Sequence, residues 1–113
     1  MKSATMVFKA FADEKRIRIL KLLEKRKMCV CELAYVFGIA QPSVSKHIKK
    51  MMKAGLLASE KDGFWTNYFI KPDNQYAKKL VSVLSPWLND DELVHSDYKK
   101  ALRANREKLC CKK

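Results

Sequence analysis

Gly38-Ile39-Ala40-Gln41-Pro42-Ser43-Val44-Ser45-Lys46-His47-Ile48-Lys49-Lys50-Met51-Met52-Lys53-Ala54-Gly55 is the stretch that decides the fold of this chain. Gly38 ends one helix in the usual way, because glycine takes the left-handed conformation just past a last helical turn without steric cost. Gly55 closes the next. Between them Val44, Ile48, Met51 and Met52 recur at i, i+4, i+7 and i+8, so one helical face packs. Gln41, Ser43, Ser45, Lys46, Lys49, Lys50 and Lys53 fall on the other side and stay free. A helix, a short turn and a second helix with an uncommitted polar and basic face form the helix-turn-helix arrangement, with a recognition helix at about 41–53.

Working outward, Leu56 to Glu60 and Phe64 to Ile70 flank Lys61-Asp62-Gly63. Asp-Gly is a strong hairpin signal and Phe, Trp, Thr and Tyr favour strands, so the sequence predicts a two-stranded wing at about 57–70. Upstream, Val7, Phe8 and Phe11 form a short apolar stripe, and Ile17, Leu20 and Leu23 with Ile19 and Leu22 a wider one, giving two helices broken around Asp13. Past Pro72, helical spacing returns in Tyr76, Leu80, Val83, Leu84, Trp87 and Leu88. Pro86 interrupts it, with Ser85 expected as a cap and Pro86 at the first position of a new turn, so that one helix kinks or restarts there. A weaker stripe through Val94, Tyr98, Ala101, Leu102 and Leu109 has Asp90, Asp91 and Glu92 at its start and Arg103, Arg106 and Lys108 near its end, the polarity a helix dipole favours. C-terminal helices are thus expected over about 73–109. The fold class is mainly α with a two-stranded β-wing, a single winged helix-turn-helix domain over 1–113.

A 113-residue chain supplies only a marginal core by itself. The N- and C-terminal helices have little left to bury against, so a homodimer formed through them is expected, matching the two-fold symmetry such proteins use on double-stranded operator DNA. A net charge of +12 and a pI near 9.7 favour polyanionic partners, nucleic acid first. No run of eighteen apolar residues and no secretory hydrophobic region occurs, so no membrane partner is expected and the location is cytoplasmic. There, four cysteines point to metal or redox chemistry rather than a disulfide scaffold. No paired carboxylates, nucleophile-base pattern or phosphate loop occurs, which argues against an enzyme.

Phe8-Lys9-Ala10-Phe11-Ala12-Asp13, Arg16-Ile17-Arg18-Ile19-Leu20, Cys29-Val30-Cys31-Glu32-Leu33, Gln41-Pro42-Ser43-Val44-Ser45-Lys46-His47 and Ala54-Gly55-Leu56-Leu57 together resemble the ArsR/SmtB family of winged-helix repressors, over about Val7 to Ile70. The resemblance implies a homodimeric transcriptional repressor that leaves its operator when a metal or metalloid binds. Cys-Val-Cys ahead of the recognition helix is similar to the arsenite and antimonite sensors of the family, which implies trivalent arsenic or antimony as inducer and no organic cofactor. Zinc-type members carry Asp and His ligands on the C-terminal helix, where His95 is this chain's only histidine and has no partner at a ligand spacing, so a site of that kind is not expected. The chain departs from the pattern at Ala34, where a third cysteine stands in the arsenical sensors, and at Ala40, where a serine or threonine cap is usual. It departs again at Glu14 in place of proline and at Phe64 in place of a wing arginine, which leaves Lys61 as the wing's DNA candidate.

Cys29 and Cys31 lie two apart, so at about 100° per residue a regular helix would turn them to nearly opposite sides. Cys29 to Glu32 has capping-box spacing, however, which puts Cys29 outside regular helical geometry and frees its thiol to swing toward Cys31. The positive helix end is expected to favour both thiolates. Cys110 or Cys111, set among Lys108, Lys112 and Lys113, is the candidate third ligand. Copper(I), cadmium and lead share the softness thiolates select. Zinc-knuckle spacing is absent. Two other functions stay open: a repressor sensing oxidants or persulfides through the same cysteines, and a protein that hands thiophilic ions to a transporter. For DNA, Gln41, Ser43, Ser45 and Lys46 are placed to reach base edges or phosphates, while Lys49, Lys50, Lys53 and Lys61 suit phosphates. His47 sits at the edge of the recognition helix, where a packing or phosphate contact is expected.

Overall fold

The computed structural model describes residues 1–105. Among them the chain forms α1 (Lys2–Phe11), α2 (Glu14–Leu23), α3 (Val30–Phe37), α4 (Gln41–Lys53), β1 (Leu57–Asp62), β2 (Trp65–Ile70), α5 (Gln75–Leu84) and α6 (Glu92–Arg103). This is the mainly α, two-stranded-wing architecture expected from the sequence.

Local chemistry sets the element ends. Asp13 caps α2, its Oδ1 accepting from Lys15 N–H at 2.8 Å and Arg16 N–H at 3.3 Å. Asn74 and Asp91 do the same for α5 and α6. Gly38 ends α3 at φ +64°, its N–H donating to Ala34 O. The apolar stripes then meet in one core: Ile19, Leu20 and Leu22 of α2 pack with Val7 of α1, Leu33 and Val36 of α3, Val44, Ile48 and Met51 of α4, and Leu56 before the wing, all at most 3% exposed. Each such side chain contributes about 1.5–3 kcal/mol by leaving water. Met52, placed on the packed stripe by its spacing, instead lies at the rim at 36% exposure.

The wing pairs antiparallel, from Leu57 opposite Ile70 to Asp62 opposite Trp65. That register moves the turn one residue beyond the expected Asp-Gly position. Gly63 and Phe64 are the loop, with Gly63 at φ +63° and Phe64 outside the left-handed region, the arrangement of a hairpin turn with glycine first. On the other edge of β2, Met28 N–H donates to Tyr68 O at 3.2 Å and Tyr68 N–H donates to Met28 O at 2.9 Å. One residue from the segment before α3 therefore acts as a short third strand.

Two C-terminal expectations are corrected. No helix restarts at Pro86: α5 stops at Leu84, turns follow, Leu88 takes φ +65°, and α6 begins only at Glu92. The Ser85 carbonyl that would have fed a new helix accepts instead from Lys21 Nζ at 3.1 Å and Asn89 Nδ2 at 3.3 Å. α6 in turn ends at Arg103, with Ala104 extended, and the Ala101 carbonyl accepts from Arg26 Nη2 at 3.1 Å. Leu109, placed on the same stripe, lies outside the described residues.

Two basic side chains, Lys21 and Arg16, are buried in this framework and a third, Arg18, is partly buried. Lys21 is fully covered and bonded to Glu24 Oε1 at 2.8 Å. Arg16 caps the end of α1 through Ala10 O and Lys9 O. Arg18 forks onto Asp97 of α6 with two 2.8 Å bonds and stacks 4.7 Å from the centre of the Phe37 ring.

Candidate DNA-reading face and thiol site

α4 starts at Ala40, which offers no side-chain cap, and Pro42 in its first turn supplies helical φ without needing a hydrogen-bond partner. With Val44, Ile48 and Met51 turned into the core, Gln41, Ser43, Ser45, Lys46, Lys49, Lys50 and Lys53 are all exposed. Lys61 is exposed on β1, and Phe64 stands at the wing tip at 66% exposure. His47 differs from the rest of the DNA set. It is half-buried, and its Nδ1 meets Arg16 Nη1 at 3.2 Å, where the guanidinium donates and the ring accepts. Burial holds its pKa below the ordinary histidine range, and the charges of Arg16, Lys50 and Lys15 push the same way against the pull of Asp13. His47 thus joins α4 to α2, the packing role that was one of its two expectations.

The thiol site starts from the Met28–Tyr68 pairing, which fixes the backbone just before α3. Cys29 is the N-cap of that helix at φ −93°, ψ 169°, in capping-box geometry with Glu32, and its N–H donates to Glu32 Oε1 at 3.0 Å. The cap reading of Cys29 therefore holds. The expectation of a favoured thiolate at Cys29 does not: the residue is 3% exposed, burial pushes its thiol pKa up, and the Glu32 carboxylate adds to the rise, outweighing the N–H groups of Glu32 and Cys31. Cys31 is half-buried at the second helical position and is disulfide-bonded, while Cys29 is free.

Cys29, Val30 and Cys31 share one wall of a cavity of about 250 Å³. The opposite wall is the wing: Phe64, Trp65, Thr66 and Tyr68. The structure thus brings the two α3 cysteines to one space, as the cap argument anticipated. The wing side of that space was missed, because Trp65 and Tyr68 showed in the sequence only as strand formers. Ala34, at the position of the absent third cysteine, is buried. Among the described residues no group of three Cys, His, Asp and Glu side chains converges on a metal position. Cys110 and Cys111 lie outside the described residues. Cys29 and, once its disulfide is reduced, Cys31 would give this cavity two soft donors, and a three-coordinate ion needs one donor more.

The family description "Bacterial regulatory protein, arsR family" matches residues 13–59, from the cap of α2 through the start of the wing. The Arsenic resistance transcriptional regulator ArsR1 of Pseudomonas putida is 32% identical over 94 residues, covering 78% of this chain and 73% of that protein. This chain belongs to the ArsR family. Another relative, the Arsenical resistance operon repressor of Escherichia coli K12, is 33% identical over 101 residues, 88% of this chain and 85% of the relative. The same fold occurs in the homodimeric winged helix-turn-helix domain Mb0332 of Mycobacterium bovis, with a TM-score of 0.65 at 23% identity over 83% of this chain and 84% of that one. As an ArsR-family member the chain is a DNA-binding transcriptional regulator and not an enzyme. No helix among the described residues is long and apolar enough to cross a membrane.

Proposed function

We propose that this chain is a homodimeric, cytoplasmic repressor that holds operator DNA when its thiols are empty and leaves it when trivalent arsenic or antimony binds Cys29 and Cys31. The observation that carries the reading is the shared cavity between the cap of α3 and the wing. An ion seated there draws on the first turn of α3, which packs on α4, and on β2, whose backbone is tied to Met28. Both DNA-facing elements are thus within one contact of the ligand. The raised pKa of Cys29 makes the proton a competitor for the ion, which displaces it on binding, so affinity should rise with pH. The third donor in this reading is Cys110 or Cys111.

On DNA, Gln41, Ser43, Ser45 and Lys46 of α4 take base edges or nearby phosphates, and Lys49, Lys50, Lys53 and Lys61 take phosphates. His47 contributes by holding α4 to α2. Exposed Phe8, Trp87, Leu88, Leu93 and Leu102, on α1, α6 and the segment before α6, supply apolar surface for a second copy. The arsenical regulators among the relatives and the homodimeric Mb0332 support the inducer and the assembly respectively.

The test is fluorescence anisotropy of the reduced protein on its own upstream DNA, titrated with arsenite and, separately, with zinc. Release by arsenite and not by zinc is expected, and it should disappear in Cys29→Ser/Cys31→Ser while DNA affinity stays. An unchanged arsenite response in that double variant would remove the assignment. A second reading rests on the disulfide at Cys31: a thiol-disulfide repressor, in which an oxidant takes two electrons from two thiols and reductant returns them. Release by peroxide or persulfide, reversed by reductant, with no response to arsenite, selects it.

A further inference from the structure

Arg26 lies outside every motif that points to DNA or to metal, yet its guanidinium joins two elements the sequence gives no reason to connect. Its Nη1 donates to Glu32 Oε2 at 3.0 Å and to Lys27 O at 3.3 Å, while its Nη2 donates to Ala101 O at 3.1 Å. The other oxygen of the same carboxylate, Glu32 Oε1, accepts from Cys29 N–H at 3.0 Å. Three consecutive hydrogen bonds therefore run from the backbone of Cys29, through Glu32 and Arg26, to the last turn of α6. Glu32 is only 5% exposed, so its carboxylate depends on these protein partners rather than on water. Ala101 is buried, and α6 packs against α2 and α3.

We infer that Arg26 is the positioning residue that transmits occupancy of the thiol site to α6, the helix whose exposed Leu93 and Leu102 belong to the apolar surface offered to a second copy. The inference rests on the thiol-site reading above and adds the route from ligand to dimer. An ion that pulls Cys29 toward Cys31 moves the N-cap, and the N-cap cannot move without shifting the carboxylate that orients Arg26. The guanidinium fork is what makes the link stiff: it meets a side chain and a carbonyl from two different helices at once, which a lysine ammonium on a flexible stem does not reproduce. α6 is then held in one placement when the site is empty and released from it when the site is filled. In the dimer, the placement of α6 sets the spacing of the two recognition helices.

The experiment compares wild type with Arg26→Gln under reducing conditions, measuring the operator Kd with and without saturating arsenite and the arsenite affinity by competition. Arg26→Gln should bind free operator within about threefold of wild type and bind arsenite as well, while the ratio of the two operator constants falls by roughly tenfold, a size typical of coupling between sites. Arg26→Lys should not restore that ratio. Wild-type release together with equal release in Arg26→Gln overturns the link and leaves the inducer reading standing. A wild-type protein that keeps its operator in saturating arsenite overturns both. Should Arg26→Gln fail to fold, Glu32→Gln carries the same comparison, because its amide oxygen still accepts from Cys29 N–H while the charge that holds Arg26 is gone. Undiminished release in Glu32→Gln likewise overturns the link.

Discussion

Replacing Asp97 by alanine should cost more than any surface change in this chain. Its carboxylate is 1% exposed and receives both Nε and Nη2 of Arg18 at 2.8 Å, while the Arg18 side chain is only 12% exposed. Alanine leaves the guanidinium against the Phe37 ring with Glu14 as its remaining acidic influence. Breaking a buried pair from one side typically costs about 3–5 kcal/mol, since the remaining charge stays desolvated. At a urea slope of ~1.5 kcal/mol per molar that is a midpoint drop of roughly 2–3 M. Asp97→Asn keeps an acceptor and should fall between wild type and alanine. Arg18→Leu/Asp97→Leu removes both charges and should recover most of the loss. The assay is equilibrium urea unfolding followed by circular dichroism at one fixed protein concentration, because association shifts apparent stability. A midpoint for Asp97→Ala within about 1 kcal/mol of wild type, the range of a solvated ion pair, would refute the reasoning.

Two further changes act on the reading head. Ala40→Ser gives α4 the cap it lacks and should raise stability by about 1 kcal/mol in the same urea assay; no gain would mean that the first turn is not limited by its free N–H groups. His47 has a folded pKa below its ordinary 6.5, so the neutral ring is the form that folding favours. Its contribution is fully present above that value and is lost as the pH falls below it, when a proton on the ring faces Arg16, Lys15 and Lys50 with only Asp13 in opposition. Stability should therefore decline as the pH is lowered from 6.5, and His47→Gln should flatten that segment of the curve. Equal slopes in the two proteins would assign the decline to other groups.

What the sequence made legible is what neighbours along the chain decide. The stripe of Val44, Ile48 and Met51, the left-handed Gly38 and the cap spacing of Cys29 and Glu32 are local, and each is found where its period or backbone requirement placed it. The misplacements came from competition. Asp-Gly was displaced at the wing by a pairing register that extends to Asp62 and Trp65, and Ser85 does not cap a new helix because it closes α5 with helical backbone, φ −49° and ψ −47°, where an N-cap is extended. Arg18 with Asp97, Arg26 with Ala101 and the wing wall of the cysteine cavity join positions far apart in the chain, and no periodicity carries that information. The pKa of Cys29 was misjudged for a related reason: a helix end favours a thiolate, but the depth to which packing sinks that end is a property of the whole core.

The pairing of Met28 with Tyr68 has a consequence for how safely the wing can be displayed. A lone two-stranded hairpin presents two open edges, and each is a template on which another chain can add a strand. Here the β2 edge is already occupied at its middle by Met28. The other edge belongs to β1, where Ser59-Glu60-Lys61-Asp62 forms a polar and charged run, with Glu60 in turn bonded to Lys27 at 2.9 Å. A strand docking there would have to strip water from those charges. The wing can therefore project toward DNA, with Phe64 bare at its tip, while offering little purchase for edge-to-edge aggregation.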